Sequence, residues 1–456
     1  MLATLQKVKR YVETSPSFIE VGKVINSQGM VYQTNITNAT IGASVLFECE
    51  NGEKCDGEVV SIQDKSCYCI PYMELTGINR HTKIYLKSVQ AQLSLSREML
   101  GKVLDFAGKP FDPEQSMHYF DETRNIYGTP MNPLHRVPIT QPVQLGIKSI
   151  DGFITVGKGQ RIAIMAGSGV GKSVLMGMIA RNTNADVNVI ALVGERGREV
   201  LDFVHADLGE EGLARSVVVV ATSDQSPLLR MRAAYTATTI AEYFRDQGKD
   251  VMLMMDSVTR FAMASREVSM SVGEPPGPKG YSPSVFGRLP KILERAGTKS
   301  SSGSITGIYT VLVEGGDFDE PIADAIRSIS DGHIVLSRSL AQRSFYPAID
   351  VLASVSRVMN KVVKREHQLI ANHLRDLMSV YKQSEDLINI GAYVKGVNIK
   401  LDKAIVIKDD LEALLKQDVG ETCDLEMIYD AMVAIARKAE KIINPEIFVD
   451  KNETSN

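Results

Sequence analysis

The sequence predicts an α/β protein flanked by a small N-terminal β-barrel and a C-terminal helical domain, and three observations carry this. Residues 20–92 hold short β-rich runs separated by turn signals such as Asn51-Gly52 and Asp56-Gly57. With no helical period there, six or so strands and a small barrel are expected. Over residues 93–363 apolar runs of strand length alternate with helical stretches, the pattern of a mostly parallel sheet. Over residues 364–456 the pattern is helical, and Leu425, Ile428, Met432, Ile435, Ala439 and Ile442 keep the three-and-four spacing of one buried face.

A chain of 456 residues is long enough for two or three domains. At 44% apolar and 23% charged it has an ordinary globular balance. A net charge of −4, no Trp and no long basic run give no nucleic-acid footprint, so no nucleic-acid partner is expected. No window approaches 18 uncharged apolar residues and no secretory pattern opens the chain, which predicts a cytoplasmic protein. Of the five cysteines, Cys67 and Cys69 alternate onto one strand face and no His lies near, so reduced core thiols are expected. Leu2, Leu5, Val8 and Val12 have helical spacing ahead of Ser15-Pro16-Ser17, as a packing helix or a docking segment would. At the other end Lys451–Asn456 is polar and expected to fray.

The stretch Arg161–Ser173 is the most informative. A short apolar strand runs into Ala166-Gly167-Ser168-Gly169-Val170-Gly171-Lys172-Ser173 and then into a helix-like run. Glycines let backbone N–H groups converge on phosphates without Cβ clashes, and the following helix N-terminus adds positive field. Lys172 is placed to reach the β- and γ-phosphates of a nucleotide, and the Ser173 hydroxyl to ligate Mg²⁺. Ala166 stands where the strict pattern has Gly.

A phosphate loop states what is bound, not what is done with it. Hydrolysis also needs a carboxylate to polarise water, a second Mg²⁺ anchor and positive charge on the leaving phosphates. Val187–Val193 reads as a buried strand followed by Gly194-Glu195-Arg196-Gly197-Arg198-Glu199. Functional groups of open α/β sheets collect at such carboxyl ends, which makes Glu195, first after the strand, the candidate for orienting water. Glu199 and Asp202 lie too far along to share that place. Val251–Asp256 is a second buried strand ending in an acid, with the form of the strand that holds Mg²⁺ through water.

Five runs together resemble one family: Gly194–Glu199, Asp256-Ser257-Val258-Thr259-Arg260, Ser284–Gly297, Asp331–Arg338 and Tyr346–Arg357. It is the export ATPase family of type III secretion, related to the catalytic subunits of rotary ATP synthases. The similarity covers nearly the whole chain and is densest between 135 and 360. It implies that the core is a P-loop RecA-like domain binding ATP and Mg²⁺. By resemblance, Lys172 and Ser173 are the phosphate and Mg²⁺ ligands, Glu195 the catalytic glutamate and Asp256 the Mg²⁺-associated acid. Tyr346 matches the aromatic that packs on adenine, and Arg357 the arginine finger that enters a neighbouring subunit's site. Arg196 and Arg260 look like further members of the phosphate-side network, although either fits equally as a structural ion-pair partner.

The resemblance also implies a homohexamer and a central stalk protein. It implies a stator-like regulatory protein at residues 1–19, and export chaperones, cargo and a membrane export gate at the C-terminal domain. The expected place is therefore the cytoplasm, peripherally on the inner membrane export apparatus. The Pro- and Gly-rich loop Gly273–Tyr281 would face the ring's central channel. The last domain departs from the rotary synthases: it lacks their acidic stalk-contacting run and reads Lys364-Arg365-Glu366-His367 and Leu387–Tyr393, which is similar to the export branch. The implied function is ATP hydrolysis driving type III export, of flagellar components first, by releasing chaperones and unfolding cargo at the gate. The alternatives are a virulence injectisome ATPase, the catalytic subunit of a rotary ion-translocating ATPase, and an inactive nucleotide-binding ring subunit. A hexameric RNA translocase would share the core but needs a basic or aromatic face in its β domain, which is not seen.

Overall fold

The computed structural model describes residues 20–63, 65–299, 303–313 and 317–441. The segment carrying Leu2, Leu5, Val8 and Val12, and residues 442–456 with Ile442 and the polar tail, lie outside the described residues.

Six antiparallel strands close a barrel: β1 (Val21–Gln28), β2 (Val31–Thr34), β3 (Ser44–Glu48), β4 (Lys54–Gln63), β5 (Ser66–Pro71) and β6 (Lys83–Ser88), in the order β1-β2-β5-β4-β3-β6. Period-two alternation sends Val45, Phe47, Cys67, Cys69 and Ile84 inward, so the two spaced cysteines are barrel core. All five cysteines are free and buried, and burial pushes the Cys423 thiol up to about 11.

The central sheet is built from β7 (Lys102–Leu104), β8 (Arg161–Ala166), β9 (Val187–Glu195), β10 (Ser216–Thr222), β11 (Asp250–Asp256), β12 (Ser304–Leu312), β13 (Gly332–Leu336) and β14 (Val355–Ser356). Their order is β14-β13-β8-β12-β11-β9-β10-β7. Every pairing from β13 to β7 is parallel; β14 is antiparallel to β13, and the two-residue strand Gly297–Thr298 is antiparallel to β12. Helices cover both faces, so the inner strands are apolar on both sides, as parallel strands must be. Along β8, Ala163 and Met165 enter one core cluster while Ile162, Ile164 and Ala166 enter the other.

The helices that matter for the site are α1 (Lys172–Asn182), α2 (Pro227–Asp246) and α3 (Val258–Ser271) in the core, followed by α4 (Arg365–Asn389), α5 (Ile399–Leu415) and α6 (Leu425–Glu440). In α6 the predicted face is buried at Ile428, Met432, Ile435 and Ala439. It lies against the short helix Lys148–Phe153 so closely that a Cβ on Gly152 would stand 2.9 Å from both Ile428 and Met432. Leu374, Leu377, Leu411 and Met432 belong to the same cluster as Ile162 and Ile164, which makes the C-terminal helices a continuation of one face of the core. The Pro- and Gly-rich loop is irregular apart from a short 3-10 turn at Pro278–Gly280. No helix among the described residues is long and apolar enough to cross a membrane.

The barrel meets the core through a buried polar cluster. Glu58 of β4 (2% exposed) accepts from Arg232 of α2 (4% exposed) at 2.5 Å and from Tyr72 at 3.3 Å, and the Tyr127 hydroxyl closes on its other oxygen. The Arg232 guanidinium also lies 5.2 Å from the centre of the Tyr72 ring. Removing one partner of a buried pair leaves an uncompensated charge, which costs about 3–5 kcal/mol. Arg232→Met is therefore expected to lower unfolding stability by that amount in urea at pH 7. The loss should shrink as the pH falls and Glu58 takes up a proton.

Candidate functional site

The parallel sheet brings the carboxyl ends of β8, β9, β11, β12 and β13 to one edge, where open α/β sheets bind ligands. Ala166 is the last residue of β8, paired with Leu312 on one side and Leu336 on the other, and its carbonyl accepts from Val313 at 3.0 Å. That position is extended backbone, so Ala serves where the strict motif has Gly. The left-handed positions are Gly169 (φ 75°) and Gly171 (φ 90°), and there the absence of Cβ is required. Gly171 caps α1 without any side-chain hydrogen bond, which leaves the first-turn N–H groups for an anion. Ser168, Gly169 and Ser173 are exposed along the loop, while Val170 is buried beneath it.

Lys172, Glu195 and Asp256 converge. The Lys172 ammonium donates to Asp256 Oδ1 and lies 3.8 Å from Glu195 Oε1. Asp256 is 2% exposed and closes β11, and its Oδ1 also accepts from the Thr310 hydroxyl at 2.7 Å. Glu195 is the last residue of β9 rather than the first beyond it, because the register shifts between Val193 and Glu195. Gly194 makes that bulge possible: its φ is +75°, and a Cβ there would stand 3.1 Å from Arg260 Cβ. Burial is the largest cause pushing the Glu195 carboxyl up, to about 7; the Asp256 charge adds to it and Lys172 opposes it. Glu195 Oε1 is buried with no hydrogen-bond partner, as is Arg260 Nε.

Tyr346 stands on the other side of the loop, half exposed, with its hydroxyl donating to the Ala341 carbonyl at 3.3 Å. A groove of about 440 Å³ runs past its ring between Val174 and Met178 of α1 and the segment Gln417–Val419. A Cβ on Gly171 would lie 3.6 Å from the ring, and the Gln417 N–H donates to the Tyr346 carbonyl at 3.1 Å.

Two candidate residues are not brought to this cluster. Arg196 is exposed and pairs with Glu199 at 3.3 Å, because the chain turns outward into the helix Gly197–Asp202. Arg357 sits at the opposite edge of the sheet. Its N–H donates to the Asp331 carbonyl, and its guanidinium to the carbonyls of Ser330 and Arg327 at 3.3 and 3.4 Å. The Asp331 N–H in turn donates to Arg161, the first residue of β8, so the length of that strand, roughly 17 Å, separates it from the loop.

Three contributors escape sequence reasoning. Arg338 lines a cavity with Ser168, Gly169 and Tyr346; it closes the run Asp331–Arg338, but nothing in the sequence places it beside the phosphate loop. Gln417–Val419 reach the groove only through the packing of α5. Thr310, in an apolar strand, reads as an ordinary β-branched residue.

The residues present suit a nucleotide triphosphate and a divalent cation. Among the described residues no group of three or more His, Cys, Asp or Glu side chains is arranged to hold a metal ion. Two carboxylates and a serine hydroxyl beside a phosphate loop nevertheless match Mg²⁺, which keeps several waters and takes ligands from substrate phosphates.

Residues 146–356 match the ATP synthase alpha/beta family nucleotide-binding domain, and residues 363–434 match the T3SS EscN ATPase C-terminal domain. A flagellum-specific ATP synthase of Bacillus subtilis is 47% identical over 431 residues, covering 94% of this chain and 98% of the relative. Among solved structures, the assembled ATPase EscN of the enteropathogenic E. coli type III secretion system superposes with a TM-score of 0.86 at 43% identity, covering 91% of this chain and 99% of EscN. EscN in complex with its central stalk EscO gives 0.84 at the same identity and coverage. With its nucleotide-binding domain, its C-terminal domain and nearly its whole length matched, the chain belongs to the type III secretion export ATPase family, an ATP-hydrolysing branch related to the ATP synthases.

Proposed function

We propose that this chain hydrolyses ATP to drive type III export of flagellar components, with active sites completed between copies of a homohexameric ring. The observation that carries the chemistry is the convergence of Lys172, Glu195 and Asp256 at the mouth of the phosphate loop. Glu195 orients the attacking water and takes its proton, a role that suits a buried carboxyl with a vacant oxygen and a proton affinity near neutrality. Lys172 exchanges Asp256 for the β- and γ-phosphates. Ser173 and Asp256 are the residues that would hold Mg²⁺, which offsets charge on the phosphates when bound. Tyr346 supports the adenine ring, and stacking there makes no demand on base-edge hydrogen bonds.

Arg357, at the far edge of its own sheet, serves a neighbouring copy, where a guanidinium stabilises charge on the transferring phosphoryl. Arg196 then belongs to the rim of the site, held by Glu199 until a nucleotide or a neighbouring copy draws it in. EscN, an assembled ATPase with a central stalk, supports the ring and a stalk partner here. Residues 1–19 are assigned to a stator-like regulator, and residues 364–456 to chaperone–cargo complexes and the membrane gate. Chaperone release and cargo unfolding follow there, at the cytoplasmic face of the inner membrane. An injectisome role is the second reading, favoured by the likeness to EscN.

ATPase specific activity measured against protein concentration, with oligomeric state in parallel, is expected to rise steeply as rings form. Arg357→Ala should assemble and bind ATP yet lose turnover by about 10³–10⁵. A variant still activated by assembly would assign the finger elsewhere.

Glu195→Gln should bind ATP normally and lose turnover by about 10²–10⁴. In the wild type, kcat/KM should rise with pH through about 7, where an ordinary glutamate would place the limb near 4.5. The same residue sets a stability slope. Between about 4.5 and 7 the folded chain holds a proton that the unfolded chain has released, so stability falls as pH rises through that window. Glu195→Gln is expected to resist urea better than the wild type at pH 8, and the difference should vanish below about pH 4.5.

A further inference from the structure

Thr310 is fully buried in β12, the strand that lies between β8 with its phosphate loop and β11 with Asp256. It pairs with Ile164 on one side, and on the other it stands one residue beyond Tyr309, the partner of Met255. A hydroxyl in such a strand costs stability unless it is hydrogen-bonded, and valine would fill the same shape without that cost. The hydroxyl has one proton to give. It lies 2.7 Å from Asp256 Oδ1 and 3.3 Å from the Met255 carbonyl, so the carboxylate takes it in a charge-assisted bond.

The Lys172 ammonium donates to that same Oδ1. Both donors therefore act on one oxygen, and neither engages the other. They differ in what ATP asks of them. Lys172 is drawn to the phosphates, whereas Thr310 is fixed in the middle of the sheet and stays. Without it, Asp256 would lose both donors to Oδ1 when nucleotide enters.

We propose that Thr310 is a positioning residue for Asp256: its hydroxyl holds Oδ1 after Lys172 has moved to the phosphates, keeping the second carboxylate oxygen for a water of Mg²⁺. This rests on the reading of Asp256 as the Mg²⁺-side acid. Partners that orient metal-site ligands are typically worth roughly 10–100-fold in metal affinity or activity.

The test uses the full chain with Thr310→Val, which keeps the shape and removes the hydroxyl, Thr310→Ser, which keeps the hydroxyl, and Asp256→Asn in parallel. Binding of a fluorescent N-methylanthraniloyl-ADP is titrated with MgCl₂, and the Mg²⁺ midpoint for tightening is read alongside affinity in EDTA. Thr310→Val should raise the Mg²⁺ midpoint about ten-fold with EDTA affinity unchanged, and Thr310→Ser should restore it. A wild-type midpoint in Thr310→Val with a shifted one in Asp256→Asn overturns the proposal and leaves Asp256 in its role. A wild-type midpoint in Asp256→Asn overturns the reading of Asp256 itself and the proposal with it. An equal shift in Thr310→Ser and Thr310→Val assigns the effect to packing and also overturns it. Should Thr310→Val fail to fold, Thr310→Ala against Thr310→Ser isolates the hydroxyl in the same way.

Discussion

One ammonium between two carboxylates sets the chemistry of this molecule. Asp256 and Glu195 end neighbouring parallel strands, so the sheet brings like charges together in a place that excludes most water. Lys172 touches one carboxylate and approaches the other, which offsets part of the repulsion. Burial, with the remaining repulsion from Asp256 added to it, raises the proton affinity at Glu195. Under the proposed function, the arrangement that holds the phosphates thereby also supplies a base poised near neutral pH. Lys172 is also the group most strongly attracted by an incoming polyphosphate. Substrate binding and the charge balance of the two acids are thereby coupled.

The parallel sheet imposes a second constraint. Its carboxyl edge holds the phosphate loop, while the opposite edge holds Arg357 through the backbone of Asp331 and Arg161. A rigid strand keeps the two apart, and no side-chain rotation closes that distance. Under the proposed ring, each copy offers a nucleotide with one edge and a guanidinium with the other, which is the head-to-tail complementarity that closes cyclic assemblies.

Much of this is legible in the amino-acid order because the chemistry is local. Ala166–Ser173 is contiguous, and the acids at 195 and 256 sit at the ends of apolar runs that admit no other reading than buried strands. The period-two pattern likewise sends Cys67 and Cys69 to the barrel core. What escapes is set by tertiary contact or by small backbone irregularities. The Gly194 bulge carries β9 two residues further than its apolar run indicates, so Glu195 closes the strand instead of following it. Gln417 and Val419 lie more than 240 positions from the loop they face, and only the return of α5 onto the core brings them there. Thr310 is indistinguishable from its β-branched neighbours until its hydroxyl is seen against Asp256. Arg196 follows directly on Glu195 in sequence, but the turn into Gly197–Asp202 carries it outward.

Both flanking domains are joined to the core by apolar packing and by buried polar contacts, and those polar contacts end on different parts of it. The barrel contacts α2 through the polar cluster of Glu58, Arg232, Tyr72 and Tyr127, whose hydrogen bonds tolerate little change of geometry. The C-terminal helices continue the apolar cluster of Ile162 and Ile164 and are fastened by polar contacts as well: Arg375 donates to the Phe153 and Ser354 carbonyls, and Lys382 pairs with Asp350. Gln417, which follows α5, is buried and fully engaged. Its side chain accepts from the Lys148 N–H and donates to the Gly146 and Glu421 carbonyls, and its own N–H reaches the Tyr346 carbonyl. These contacts therefore end on the backbone of Tyr346, beside the groove. The backbone of Tyr346 and the segment following α5 are directly coupled. Gln417 thus links the groove beside the phosphate loop to the C-terminal helices, the end that the proposed function assigns to cargo.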